Sequence, residues 1–249
     1  VVVVRKDHRE AAPRRPRPAN RLGLDYRKPL PLPAKPGIID VHSHVRVSRT
    51  ADAFFEAAGL YGVKRVISMS PIEDVEPLRA RYADRLAFIA VPRWRELDSS
   101  AAFRERWLAD LETFRGYGAR VMKFWMAPPM RGQYGLTLDH EYVRPVIQRG
   151  LDLGYDFMVH VGDPDEWFQP GGPYAVTKQF GTKADQFPQL EWFLDRVAPR
   201  SVIGAHMGGR IEDPRFLNDL LARHANFHID TSATKWIVRG VAAQPAAVR

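Results

Sequence analysis

Apolar residues recur along this chain in two alternating rhythms. Short apolar runs, six to eight residues long with flanking polar or turn residues, read as strands over 38–45, 65–70, 86–92, 120–126, 156–162 and 201–207, with a shorter one at 227–231. Between them, apolar residues fall three and four apart, which predicts helices over 50–59, 74–83, 99–116, 139–152, 185–198 and 213–223, and a last one starting near Thr234. In the third helix Phe103, Trp107, Leu108, Leu111 and Phe114 form one apolar face. Ser99 or Ser100 stands where a helix N-cap is needed.

The strand starts return roughly every 31 residues, the length of one β–α unit in a parallel sheet. Seven such units predict an α/β chain folded as a (β/α)8 TIM-like barrel that lacks its eighth strand. A doubly wound open sheet is the rival. It would place a glycine-rich phosphate turn after the first strand, where this chain has His42-Ser43-His44.

Composition changes the picture at one end only. The chain has 249 residues, 45% of them hydrophobic, enough for one large core. Its net charge of +8 suggests a polyanion partner, but residues 1–36 hold ten Lys/Arg against three Asp/Glu, which leaves only +1 on the rest. The chain therefore divides into a basic, proline-rich N-terminal arm (1–36), expected to be extended or a strap, and a barrel (37–249). Nucleic acid is not the expected partner. Cysteine is absent, which excludes disulfides, thiolate metal sites and cysteine nucleophiles. No apolar stretch is long enough to span a membrane, and the cytoplasm is the expected location.

The candidate chemistry lies at the strand ends. Asp40-Val41-His42-Ser43-His44 ends the first strand, and residues two apart on a strand face one side, so His42 and His44 point together. His160 closes the apolar run of the fifth strand and His206 that of the sixth, each followed two residues later by glycine. Any one of these histidines alone reads more readily as a packed or capped strand-end residue than as a ligand. Four at the C-terminal ends of three strands point to a divalent metal ion at a barrel mouth. His8, His140, His224 and His228 lie outside this pattern.

Over residues 36–249 the chain resembles the amidohydrolase superfamily, in its amidohydrolase-related branch. The resemblance rests on an ordered set: Ile39-Asp40-Val41-His42-Ser43-His44, Val121-Met122-Lys123-Phe124-Trp125, Val159-His160-Val161-Gly162, Ala205-His206-Met207-Gly208-Gly209 and Asp230-Thr231-Ser232-Ala233. It implies a distorted barrel with one or two divalent ions, zinc being expected, and a water-activating hydrolase. A sub-branch performs non-oxidative decarboxylation or hydration. By resemblance, His42, His44 and His160 are metal ligands. His206 is a further ligand in a two-metal site, or in a one-metal site the group that polarises substrate or water. The family's aspartate at the end of strand eight has no counterpart before Arg249, so the chain is expected to be a C-terminally truncated piece. Asp230, on the seventh strand, is not assigned that role.

Lys123 sits mid-strand among apolar residues and carries three readings. The resemblance implies a lysine carboxylated to bridge two metals. Its charge alone suggests a cation for a substrate carboxylate. A lysine reaching the rim, or paired with an acid such as Asp163, needs neither. Arg93 after the third strand is placed to clamp a carboxylate, and Lys235 to contact an anion. Trp125 and the long loop 163–183, with Trp167, Phe168 and Tyr174, are expected to wall an apolar pocket. Asp163 is placed to orient His160. The expected partner is a small amide, lactone or ester, hydrolysed by activated water, with pairing of two copies through outer helices. The alternatives are a metal-dependent decarboxylase on the same site, and a non-enzymatic barrel that binds a partner through its basic arm.

Overall fold

The computed structural model describes residues 37–245, so the reading of residues 1–36 as an arm lies outside the described residues. The strands are β1 (Ile38–Ser43), β2 (Val63–Ser68), β3 (Leu86–Ala90), β4 (Val121–Trp125), β5 (Asp156–His160), β6 (Val202–Gly204) and β7 (Phe227–Ile229). The helices are α1 (Ala51–Leu60), α2 (Ile72–Tyr82), α3 (Ala101–Gly116), α4 (Pro128–Tyr134), α5 (Arg144–Asp152), α6 (Thr177–Phe180), α7 (Pro188–Val197), the single turn α8 (Ala205–Gly208), α9 (Pro214–Arg223) and α10 (Thr234–Ala243). All neighbouring strands pair in parallel, in the order β1 to β7. The sheet curls until His42 on β1 touches Asp230, just past β7. Among the described residues this is the expected barrel, with seven strands and a gap where an eighth would close it.

Local chemistry accounts for the helix starts. Ser100 caps α3 by accepting from the Phe103 N–H at 3.0 Å, and Asp213 caps α9 by accepting from the Phe216 N–H at 3.1 Å. Proline opens α4, α7 and α9, at positions where its missing N–H costs nothing. Pro128-Pro129 reads in sequence as a break, so α4 was not among the expected helices; nor was the short α6. Pro145 delays α5 to Arg144, and turns occupy much of the preceding segment expected as helix.

Strand alternation sorts side chains into two layers. On β4, Met122 and Phe124 point out toward the helices, while Lys123 and Trp125 point into the barrel. On β5, Phe157 and Val159 point out, and Met158 and His160 point in, paired in register with Lys123 and Trp125. The outer layer is the main core. Phe124 meets Trp107 of α3 and Phe193 of α7 at ring separations of 5.5 and 5.7 Å, and Phe157 meets Phe193 at 5.2 Å. Phe124, Phe157 and Phe193 are all fully buried, and each contributes roughly 1.5–3 kcal/mol by leaving water. The inner layer holds the polar groups.

Candidate metal centre and its pocket

The site forms where β1, β5, β6 and β7 end. β6 stops at Gly204 rather than running through 207, because His206 and Met207 adopt left-handed backbone angles (φ 57 and 55°), continued by Gly208 and Gly209. Left-handed backbone at a residue with a side chain costs roughly 1–2 kcal/mol. The turn is held by Asp230: its Oδ1 accepts from the His206 N–H at 2.8 Å, and its carbonyl accepts from the Met207 N–H at 2.8 Å. Gly209 also allows the turn to press on β5, since a Cβ there would lie 2.6 Å from the Gly162 carbonyl oxygen.

Asp230 is the centre of the arrangement. Its Oδ2 lies 2.5 Å from His42 Nδ1, and its Oδ1 also accepts from the Ser232 N–H at 3.0 Å and from the Ser232 hydroxyl. Ser232 Oγ lies 2.9 Å from His42 Nδ1 and 2.8 Å from His206 Nδ1. His42, His206 and Asp230 thus offer ligand atoms that all lie within 4.8 Å of one another. The His42 and His206 rings stack at 4.9 Å.

The other two histidines border this trio. His44 lies 5.8 Å from the His42 ring and is exposed at the pocket mouth. His160 meets the His206 ring edge-on at 4.6 Å, but its Nε2 is bonded to Asp163 Oδ1 at 2.9 Å. The Tyr174 hydroxyl donates to the other Asp163 oxygen at 2.9 Å, and the Lys183 ammonium donates to the Asp163 carbonyl. Asp163 therefore orients His160, as its position in sequence suggested. It does not pair with Lys123.

Electrostatics favour metal ligation. Burial lowers the His42 pKa against the hydrogen bond to Asp230, and burial together with the charges of His160 and Lys123 lowers that of His206. Both imidazoles are neutral near pH 7, the form that binds metal. Burial acts to raise the Asp230 pKa, but hydrogen bonds from His42 and Ser232 overcome it and hold the carboxyl well below its usual range. Two neutral imidazoles and one carboxylate are a donor set suited to zinc and related divalent ions. The residues present fit such an ion.

Beside this cluster opens a cavity of about 450 Å³, lined by the four site histidines, Lys123, Arg93, Trp94 and Trp125 among others. Trp125 and Arg93, expected near the site, both stand on the cavity lining. Arg93 is already engaged, however, with its Nε 3.0 Å and Nη2 3.3 Å from the Asp110 carboxylate. Trp167 lies outside the cavity wall. It packs on Trp236 at 5.0 Å, and Trp236 packs on His206 at 5.3 Å. The Lys235 side chain lies outside the described residues. Lys123 is 4% exposed, and its ammonium has no hydrogen-bond partner.

Asp230 is the site residue that sequence reasoning left out. Its partner His42 is 188 positions away, a contact that no local pattern reveals. The available signal was its place at the end of a strand, the position shared by the site histidines.

No protein-family model matches the sequence, and no curated protein does either. The structure is similar to 2,6-dihydroxybenzoate decarboxylase from Rhizobium, with a TM-score of 0.52 and 17% identity over 79% of this chain and 75% of that one. It is similar to 4-oxalomesaconate hydratase from Rhodopseudomonas palustris, with a TM-score of 0.52 and 13% identity over 84% and 78% of the two chains. It is also similar to a dihydroxybenzoic acid decarboxylase from Polaromonas sp. JS666, solved with manganese and the inhibitor 2-nitroresorcinol, with a TM-score of 0.52 and 14% identity over 82% and 81%. At these identities the likeness establishes the barrel fold.

Proposed function

We propose that this chain is a metal-dependent hydrolase of the amidohydrolase-related type, acting on a small amide, lactone or ester. The observation that carries the reading is the convergence of His42, His206 and Asp230 at the C-terminal mouth of the strands, beside a cavity of substrate size. His42, His206 and Asp230 would hold the ion, with His44 and His160 beside them on the same cavity. Zinc is the ion we expect from the donor set; manganese is the ion in one fold neighbour. A divalent ion there supplies Lewis acidity and a water acidic enough to react near neutral pH.

The chain's own residues supply the rest. Asp163 is ionised, because hydrogen bonds from His160 and Tyr174 outweigh the burial that would raise its pKa. It therefore accepts from His160 Nε2–H and leaves the lone pair on Nδ1. A ring so oriented is placed for proton transfer at Nδ1. Asp230 and Ser232 hold the His42 and His206 rings in place, and the 206–209 turn aims His206 at the cavity. Trp236 packs edge-on against the His206 ring. Lys123 places a positive charge where an anionic substrate group or a developing negative charge would sit.

The partner is a small molecule. Of the net charge of +8, residues 1–36 carry +7, so the barrel itself presents little charge to a nucleic acid. Among the described residues no helix is long and apolar enough to cross a membrane. A cytoplasmic location and pairing of two copies are further parts of the proposal.

A second reading is a decarboxylase on the same residues, favoured by two fold neighbours that are decarboxylases. Elemental analysis comes first. Purified protein should carry at least one divalent ion per chain. Asp230→Asn should bind that ion at least about 10-fold more weakly, since a neutral amide replaces the anionic donor. Metal-free protein that takes up neither zinc nor manganese would sink both readings. Release of carbon dioxide from an aromatic acid without hydrolysis of amide, lactone or ester probes would replace the first by the second.

A further inference from the structure

The strand end that carries His44 is not held by a regular ladder. Asp40 pairs with Val66 and Ser43 with Ser68, so β1 takes three steps where β2 takes two. That surplus residue is a β-bulge, and a bulge re-aims the side chains beside it. Asp40 fixes it: its Oδ1 accepts from the His42 N–H at 3.0 Å, and its Oδ2 accepts from the Ser43 hydroxyl. One ladder bond follows, from the Met69 N–H to the Ser43 carbonyl at 2.8 Å.

Beyond that bond two side chains take over from the backbone. The Val45 N–H donates to Ser68 Oγ at 2.7 Å, and the Ser70 hydroxyl donates to the Val45 carbonyl at 2.7 Å. The two hydroxyl oxygens lie 3.0 Å apart. Both ends of this chain have a forced direction, since an N–H only donates and a carbonyl only accepts. Ser68 then donates to Ser70 in preference to the Ser43 carbonyl, which is farther away at 3.3 Å. The bonds close a ring through both backbone groups of Val45. Ser68 and Ser70 are each 0% exposed, so water does not compete for these bonds.

His44 stands between Ser43 and Val45 and needs such a hold. Its side chain is exposed at the cavity mouth, so packing does little to aim it. His42 is different, because Asp230 and Ser232 bond to its ring directly. Neither Ser68 nor Ser70 is on the cavity lining.

We propose that Ser68 and Ser70 are positioning residues whose hydroxyl pair clamps Val45 and thereby aims the His44 imidazole at the metal centre. The inference rests on the reading of that centre as a metal site with His44 beside the ion. It adds two residues that act on the site through the backbone alone.

Two measurements on the full chain test it. Amide hydrogen exchange of the metal-free protein reads the clamp itself. The Val45 amide should be protected in the wild type and exchange at least about 10-fold faster in Ser68→Ala. Zinc affinity, measured by chelator competition, reads what the clamp is for. Ser70→Ala should bind zinc about 10-fold more weakly, and Ser70→Cys, which keeps the size and a weaker donor, should lose less. In a His44→Ala background Ser70→Ala should cost nothing further. Phe193→Ala, which opens the outer core, should leave zinc affinity unchanged, so a general loss of stability does not mimic the effect. A Val45 amide that exchanges freely in the wild type overturns the proposal. So does a Ser70→Ala protein that binds zinc as tightly as the wild type, because the serines then serve the fold only. An equal loss with and without His44 also overturns it, because the clamp then acts through another residue. A wild type that takes up neither zinc nor manganese defeats the metal reading and this use of the serines with it, whereas bound metal with an unprotected Val45 defeats the clamp alone.

Discussion

The wall made by β3, β4 and β5 and the seam where β1 faces β6 and β7 belong to one sheet, yet they are held together by opposite means. The wall is apolar and closely packed, with Met122, Phe124, Phe157 and Phe193 all fully buried. Each of its strands has a parallel partner on both sides. The seam has two three-residue strands in β6 and β7, three non-glycine residues in left-handed backbone (His206, Met207 and Ala233), and an edge on which Ile38 and Ile39 are 44% and 57% exposed. Hydrogen bonds among His42, Asp230, Ser232 and His206 do there what aromatic packing does on the wall. The division separates the part that supplies stability from the part that tolerates strain for chemistry. Lys123 and His160 lie on the inner face of the wall, so the rigid side presents its polar groups to the strained side across the cavity.

The comparison breaks most visibly at Phe193. Phe193→Ala removes a ring that touches both Phe124 and Phe157. It should lower stability by about 3–5 kcal/mol in denaturant unfolding. Below the new transition, bound metal per chain should be unchanged. A variant that kept its stability but lost metal would show that wall and seam are not separable.

Lys123 is the exception on the wall, and it makes the wall sensitive to pH. Burial pushes its pKa down to about 7, against about 10.4 for a lysine in an unfolded chain. Between those values the unfolded chain holds more protons than the native one, so stability should rise as pH rises from about 7 to 10. Below pH 7 the cost of the buried charge is present in full. Lys123→Met should therefore be more stable than wild type by roughly 2–4 kcal/mol at pH 6, with the gap closing by pH 10. Parallel stability curves for the two proteins across that range would mean that Lys123 has a partner in solution.

The wall was legible in the sequence and the seam only in part. Apolar runs that alternate with amphipathic helical segments and the inward alternation of Lys123 between Met122 and Phe124 are local patterns, and they specify a β-α repeat directly. The four histidines were legible for the same reason, since each ends such a run. The seam depends on backbone angles and long-range contacts. The expected strand through 201–207 stops at Gly204, because the next residues turn left-handed under the hold of Asp230. No propensity announces that turn for a His-Met pair. Nor does sequence order show that the proton-bearing groups near His42 come from β7. The same limit hid the engagement of Arg93, whose partner Asp110 lies on the inner side of α3, in a helix whose apolar face alone was readable.

The smallest expected effect is the most specific, and it concerns how the two regions communicate. Tyr174 lies on the loop after β5, packed by Trp167, Phe168 and Phe180, and its hydroxyl donates to Asp163. Tyr174→Phe keeps the ring and removes one hydrogen bond, so stability should fall by only about 1 kcal/mol. The released Asp163 oxygen leaves the carboxylate free to rotate, and His160 loses the fixed acceptor that keeps its proton on Nε2. Nitrogen-15 NMR of the imidazole should show the wild-type ring predominantly as the Nε2–H tautomer and the variant ring as a mixture. Turnover should fall several-fold with little change in KM, because the proton-transferring atom is misplaced while the cavity wall is intact. A variant that loses the 1 kcal/mol but keeps the wild-type tautomer and turnover would assign Tyr174 to loop packing alone. The seam's chemistry would then depend on Asp163 without the loop, and the two regions would be coupled only through the sheet.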